Sequence, residues 1–198
     1  MREKLIDKLE ENKRHFLMKQ VRASLRSCEE SGFVYQLAEA EQSRQIFETI
    51  LSNSFPSAVR EVDISDKETA ISLILENIAD TGVERMNDIV YLFHPYSNEV
   101  GAIKCALKDC ASHLHCLMDF IDFEGRLLSN SCILVEPSFS FSVCLFHTEY
   151  GCELVCKPPK RGTRCIPFFI KNTKESAVFQ FQIYSLFHED KALPEQVF

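Results

Sequence analysis

The spacing of apolar residues changes period once along this chain, near residue 87. That change restricts the fold more than any motif does. Before it, apolar positions recur every three or four residues, as a helix buried on one side requires. Leu5, Leu9, Leu17, Val21, Leu25 and Cys28 predict a helix over 3–28, stopped at Ser31-Gly32. Phe33, Leu37, Ala40, Phe47, Ile50 and Leu51 predict a second, ending before an Asn53-Ser54-Phe55-Pro56 turn. A third carries Ile71, Ile74, Leu75 and Ile78 and closes at Thr81-Gly82. Ser65 stands three residues before Glu68, the spacing of a capping box at its start. The first stripe skips the Asn12-Lys13 turn, so that helix is expected to add less to the core and to serve a partner or a homodimer seam.

Beyond Asn87 the period falls towards two. Asp88–His94 and the alternating Ile103, Cys105 and Leu107 read as a hairpin around a turn at Tyr96–Glu99. Further strands are predicted at Asn130–Glu136, at Phe139, Phe141, Val143 and Leu145, and at Cys152–Cys156, Ile166–Ile170 and Val178–Phe187. Asp109–Phe123 fits a helix capped by Asp109 or a strand through Leu114, Cys116, Met118 and Phe120. The fold class predicted is α+β, a single domain over 1–198 with N-terminal helices (about 1–82) packed on a mainly antiparallel C-terminal β-sheet (about 87–188).

Charge narrows the function. The net charge is −7, and residues 31–136 alone hold 17 acidic against 7 basic side chains. Such a surplus argues against nucleic acid, which needs a basic surface, and suits a basic protein partner. No stretch reaches the ~18 apolar residues of a membrane span, and the opening MREKLIDKLEENKRHF does not resemble a leader. A cytoplasmic protein with nine reduced cysteines is therefore expected.

Candidate chemistry is sparse. Cys110, His113, His115 and Cys116 are metal-ligand types, but neither helix nor strand spacing brings all four to one point. His147 with Cys152 and Cys156 lacks a glycine-rich turn to stabilise an oxyanion. No phosphate-binding glycine pattern occurs. Lys157–Arg164 carries four positive charges on a loop stiffened by Pro158 and Pro159, the pattern of a solvated hairpin tip or an anion-receiving loop. No catalytic residue, cofactor or metal ion is predicted.

The acidic candidates are Glu61 and Asp63 before the third helix, and Asp119, Asp122 and Glu124 before Gly125. The second group would oppose the dipole at the end of a helix, which favours a role in recognition. The function expected is a non-enzymatic protein that binds and neutralises or carries a basic partner, most concretely an immunity protein against a nuclease-type toxin. The alternatives are a secretion chaperone and a small-molecule enzyme with Cys/His chemistry assembled from distant segments.

Overall fold

In the computed structural model, residues 2–52, 58–64, 66–121, 131–148 and 151–157 are described. The chain opens with α1 (Arg2–Ser24) and the short α2 (Arg26–Glu30). Gly32, at φ +99, receives the end of α2, and the Phe33 amide closes it on the Cys28 carbonyl at 2.9 Å. Then come β1 (Gln36–Leu37), α3 (Ala40–Leu51), β2 (Ala58–Val62), α4 (Lys67–Ala79) and a 3-10 turn at Val83–Arg85. The rest alternates: β3 (Ile89–Leu92), α5 (Ser97–Val100), β4 (Ile103–Ala106), α6 (Leu107–Ser112), α7 (Leu114–Ile121), β5 (Cys132–Val135), β6 (Ser142–Thr148) and β7 (Gly151–Lys157).

The seven strands form one antiparallel sheet in the order β1-β4-β3-β5-β6-β7-β2. The fold is α+β, with N-terminal helices on a sheet built mainly from the C-terminal half. Its two edge strands, however, come from the helical half. The predicted second helix over 33–51 therefore shortens to α3, because Gln36–Leu37 pairs with Lys104 and Ile103 instead. Arg60 and Glu61 in β2 pair with Leu154 and Glu153. The 109–123 ambiguity resolves as two helices, with Leu114, Leu117, Met118 and Ile121 buried at i, i+3, i+4 and i+7. The strands expected at 166–170 and 178–187, the loop from Pro158 onward and the 53–56 turn lie outside the described residues.

Alternation along the strands places Val90, Leu92, Ile103, Cys105, Cys132, Leu134, Val143, Leu145 and Leu154 on one face. These side chains are buried in one cluster with Ile71, Ile74 and Ile78 of α4, Leu107 and Cys110 of α6, and the inner face of α7. The first helix is split. Leu17, Val21, Leu25 and Cys28 belong to this core, whereas Leu5 and Leu9 are 61% and 59% exposed. Residues 3–28 thus add fewer side chains to this core than the strands do, as expected, but the second half of that span is part of it. Its stripe beyond residue 16 belongs to the core cluster, with α5 and α2 as neighbours of α1, and deleting it would open the core.

Two local details also depart from the sequence reading. Asp66, not Ser65, caps α4: its carboxylate accepts from the Thr69 amide at 2.8 Å and the Thr69 hydroxyl at 2.9 Å. The strand expected from Phe139 begins at Ser142, because Glu136 gathers the intervening residues into a turn. Its carboxylate accepts from the amides and hydroxyls of both Ser138 and Ser140. Burial alone would raise the Glu136 pKa, and those four hydrogen bonds turn it downward.

The opposite sheet face is also apolar, with Tyr91, Ile133, Val135 and Cys144 buried. Ser142 lies among them, fully buried, and among the described residues its hydroxyl has no hydrogen-bond partner. An unpaired buried hydroxyl costs free energy that the folded state does not recover. Ser142→Ala is therefore expected to hold or raise stability, by up to about 1 kcal/mol in urea unfolding. A loss above that would show that the hydroxyl is used.

Candidate functional site

The acidic residues singled out in the sequence divide into two places. Glu61 is exposed on β2, an edge strand, and Asp63 is exposed just beyond its end. The register of β2 against β7 sets Glu61 directly opposite Glu153. Like charges so placed repel across the pair. Burial raises the Glu153 pKa, and Glu61 raises it further. Asp63 acts the same way on the Cys152 thiol, whose pKa is raised first by burial and then by that carboxylate. On the other side of β2, Glu61 and Asp63 share an open depression of about 410 Å³ with Thr69, Ser72, Leu73 and Glu76 of α4.

Asp119 sits in the last turn of α7, where helix electrostatics disfavour it. Lys67, at the start of α4, donates to it and supplies the missing cation. The pair is partly exposed and contributes ~0–1 kcal/mol, but it leaves Asp119 compensated where Glu61 is set opposite the Glu153 carboxylate. Asp122 and Glu124 lie outside the described residues. Sequence reasoning missed Glu153 and Glu76. Only the β2–β7 register and the packing of α4 reveal them, since Glu153 reads locally as an ordinary strand residue.

The cysteine and histidine groups disperse. Cys110 is buried in the core. His113 directs Nδ1 to the Asp109 carbonyl at 2.9 Å and Nε2 to that of Ser31 at 3.3 Å. His115 approaches Glu68 at 3.5 Å on the surface. Cys116 is disulfide-bonded to Cys28. The expectation of nine free thiols is thereby corrected: α2 and α7 pack together and bring two cysteines, 88 residues apart, to a Cα–Cα distance of 5.9 Å. Among the described residues, no group of three or more His, Cys, Asp or Glu side chains could hold a metal ion. Cys152 and Cys156 pack with Leu154 against the core, and His147 is in register with Cys152.

One buried titratable group escaped the sequence reading. His94 is 2% exposed, and Nε2 donates to the Gly101 carbonyl at 2.9 Å while Nδ1 accepts from the Tyr96 amide at 3.3 Å. Burial lowers its pKa to about 4, against the Gly101 hydrogen bond. Ser97 is equally buried and its hydroxyl accepts from the His94 amide. Both side chains are thus engaged by backbone, and the arrangement holds the β3–β4 connection.

Residues 17–156 match the YxiF protein family. The chain belongs to this family. A relative from Bacillus subtilis (strain 168), described as uncharacterized protein YxiF, is 47% identical over 155 residues, covering 78% of this chain and 99% of the relative. No solved structure matches. The YxiF match opens at Leu17, the first buried residue of α1, and closes at Cys156 in β7, the strand carrying Glu153. It therefore takes in the helices-on-sheet core and the acidic edge, and excludes the exposed start of α1. Among the described residues, no helix is long and apolar enough to cross a membrane.

Proposed function

We propose that this YxiF-family protein binds a basic protein partner through the acidic edge made by β2, β7 and α4. In the concrete form of the reading it is a cytoplasmic, non-enzymatic immunity or inhibitor protein against a nuclease-type toxin. The observation that carries the reading is Glu61, which is paired in register with Glu153 on β7 and which also lines, with Asp63 and Glu76, an open depression beside α4. A sheet gains nothing from opposed carboxylates, whereas a cationic surface docking there would relieve their repulsion. A nuclease must keep its own site positive to hold phosphates, so occluding it calls for such a face. A stable interface of ~1,600 Å² would extend well beyond the depression, onto the surrounding exposed surface of α4 and β2.

The test uses a basic nuclease secreted by the host, purified alone, with association followed in real time at low and high salt. The triple variant Glu61→Gln/Asp63→Asn/Glu76→Gln should associate about tenfold more slowly at low salt. Its salt dependence should flatten, and its melting temperature should stay level or rise slightly. Asp119→Asn, whose charge Lys67 already offsets, should associate at nearly the parent rate. Co-expression with the nuclease should protect cells, and the triple variant should protect less. Wild-type association by the triple variant would overturn the reading.

A further inference from the structure

The Cys28–Cys116 disulfide is built asymmetrically. Cys28 is 0% exposed and lies in the main core, whereas Cys116 is only half-buried, in the first turn of α7. The hydroxyl of exposed Ser27 stands 3.4 Å from the Cys116 sulfur, so that sulfur has a polar, surface-side neighbour. Five other described cysteines, Cys105, Cys110, Cys132, Cys144 and Cys152, are buried thiols. Burial raises Cys132 to about 12 and Cys144 further, and Cys110 is raised by its hydrogen bond to Cys105 and then by burial. The raised pKa keeps Cys110, Cys132 and Cys144 protonated and poorly nucleophilic. Cys116, half-buried in the first turn of α7, is the more exposed member of the bonded pair.

We propose that Cys116 is a thiol–disulfide exchange site for low-molecular-weight thiols and disulfides of the glutathione class, with Cys28 as its resolving partner. In the closing direction the Cys116 thiolate attacks a small disulfide, RSSR. A Cys116–SR bond forms, the RS–SR bond breaks, and RS⁻ leaves. The Cys28 thiol then attacks the Cys116 sulfur, forming the Cys28–Cys116 bond and expelling a second RS⁻, which takes the Cys28 proton. Two protein thiols are oxidised and one RSSR is reduced to two thiols. Opening is the reverse, with a small thiolate attacking at Cys116 because Cys28 is out of reach. The bond joins α2 to α7 across the surface of the core, so the couple sets whether these two helices are tied. This inference rests on the cysteine geometry alone and is independent of the acidic edge.

The experiment reduces the intact full-length protein under native conditions, adds glutathione disulfide, and quenches with acid at intervals for peptide mapping. In the wild type, glutathione should appear first on Cys116 and then decay as the Cys28–Cys116 linked peptide accumulates. Cys28→Ser should hold glutathione on Cys116 stoichiometrically, because nothing resolves it. Cys116→Ser should leave Cys28 unmodified, with labelling slower by at least about 100-fold. A Cys28–Cys116 link that forms without a preceding Cys116 adduct would overturn the proposal, as would glutathione retained on Cys116 in the wild type. Both of these outcomes are read on the wild-type chain, so they decide the matter even if either serine variant folds poorly.

Discussion

Replacing Gly101 with alanine is expected to cost about 4 kcal/mol, near the whole stability of a small domain. Gly101 adopts φ +93, a left-handed conformation that an alanine Cβ disfavours. With ψ at 152 that backbone lies in a region essentially restricted to glycine, which alone costs about 1–3 kcal/mol. The larger cost is steric, because a Cβ built there would lie 1.8 Å from the Ala38 carbonyl oxygen. No rotamer relieves a clash between Cβ and backbone. The only relief is to move the Ala38 segment, which is held by the Ala38 amide on the Ala102 carbonyl at 2.8 Å and by the Leu37–Ile103 pairing. The shift would also strain Ser43, whose buried hydroxyl accepts from the Ala102 amide at 2.8 Å. Gly32→Ala supplies the control. Its φ is +99, but nothing lies within 4 Å of the added carbon, so it should cost only about 1 kcal/mol. Urea unfolding of both variants separates the two terms, and equal losses would show that packing at Gly101 is not the cause.

The Gly101 contact also marks the boundary of what the sequence made legible. Stripes long enough to repeat were readable: Ile71, Ile74 and Ile78 lie in the core as their spacing predicts, as do the alternating Ile103 and Cys105 or Val143 and Leu145. The two edge strands were not. A two-residue strand has no period, and Ala58–Val62 carries arginine and glutamate because an edge tolerates charge. The same limit applied to the candidate site. Glu61 and Asp63 were visible as acidic residues, but the opposition of Glu61 to Glu153 depends on a register spanning more than ninety positions. Asp119 read as uncompensated because its cation, Lys67, lies 52 residues away on another helix. The Cys28–Cys116 bond, with 88 residues between its ends, was hidden for the same reason.

His94 should make the fold acid-labile in a defined window. Its pKa is about 4 in the folded chain against 6.5 for the ordinary group, so the unfolded chain takes up the proton first. Stability from this residue is complete above about pH 7.5, declines as pH falls through 6.5, and is exhausted below about pH 4. The full loss amounts to about 3 kcal/mol, with about 2 kcal/mol already gone at pH 5. The neutral ring can donate from Nε2 to Gly101 and accept at Nδ1 from the Tyr96 amide, whereas the charged ring loses the second bond and is left desolvated. Lowered carboxylates such as Glu136 also weaken folding in acid, so the total decline is not diagnostic. The diagnostic quantity is the difference from His94→Gln, which keeps an N–H directed at the Gly101 carbonyl and does not titrate. The variant should be less stable at pH 8, yet lose about 2 kcal/mol less than the parent between pH 8 and pH 5. Parallel urea-midpoint curves for the two proteins across that range would show that His94 is not the group whose protonation the fold resists.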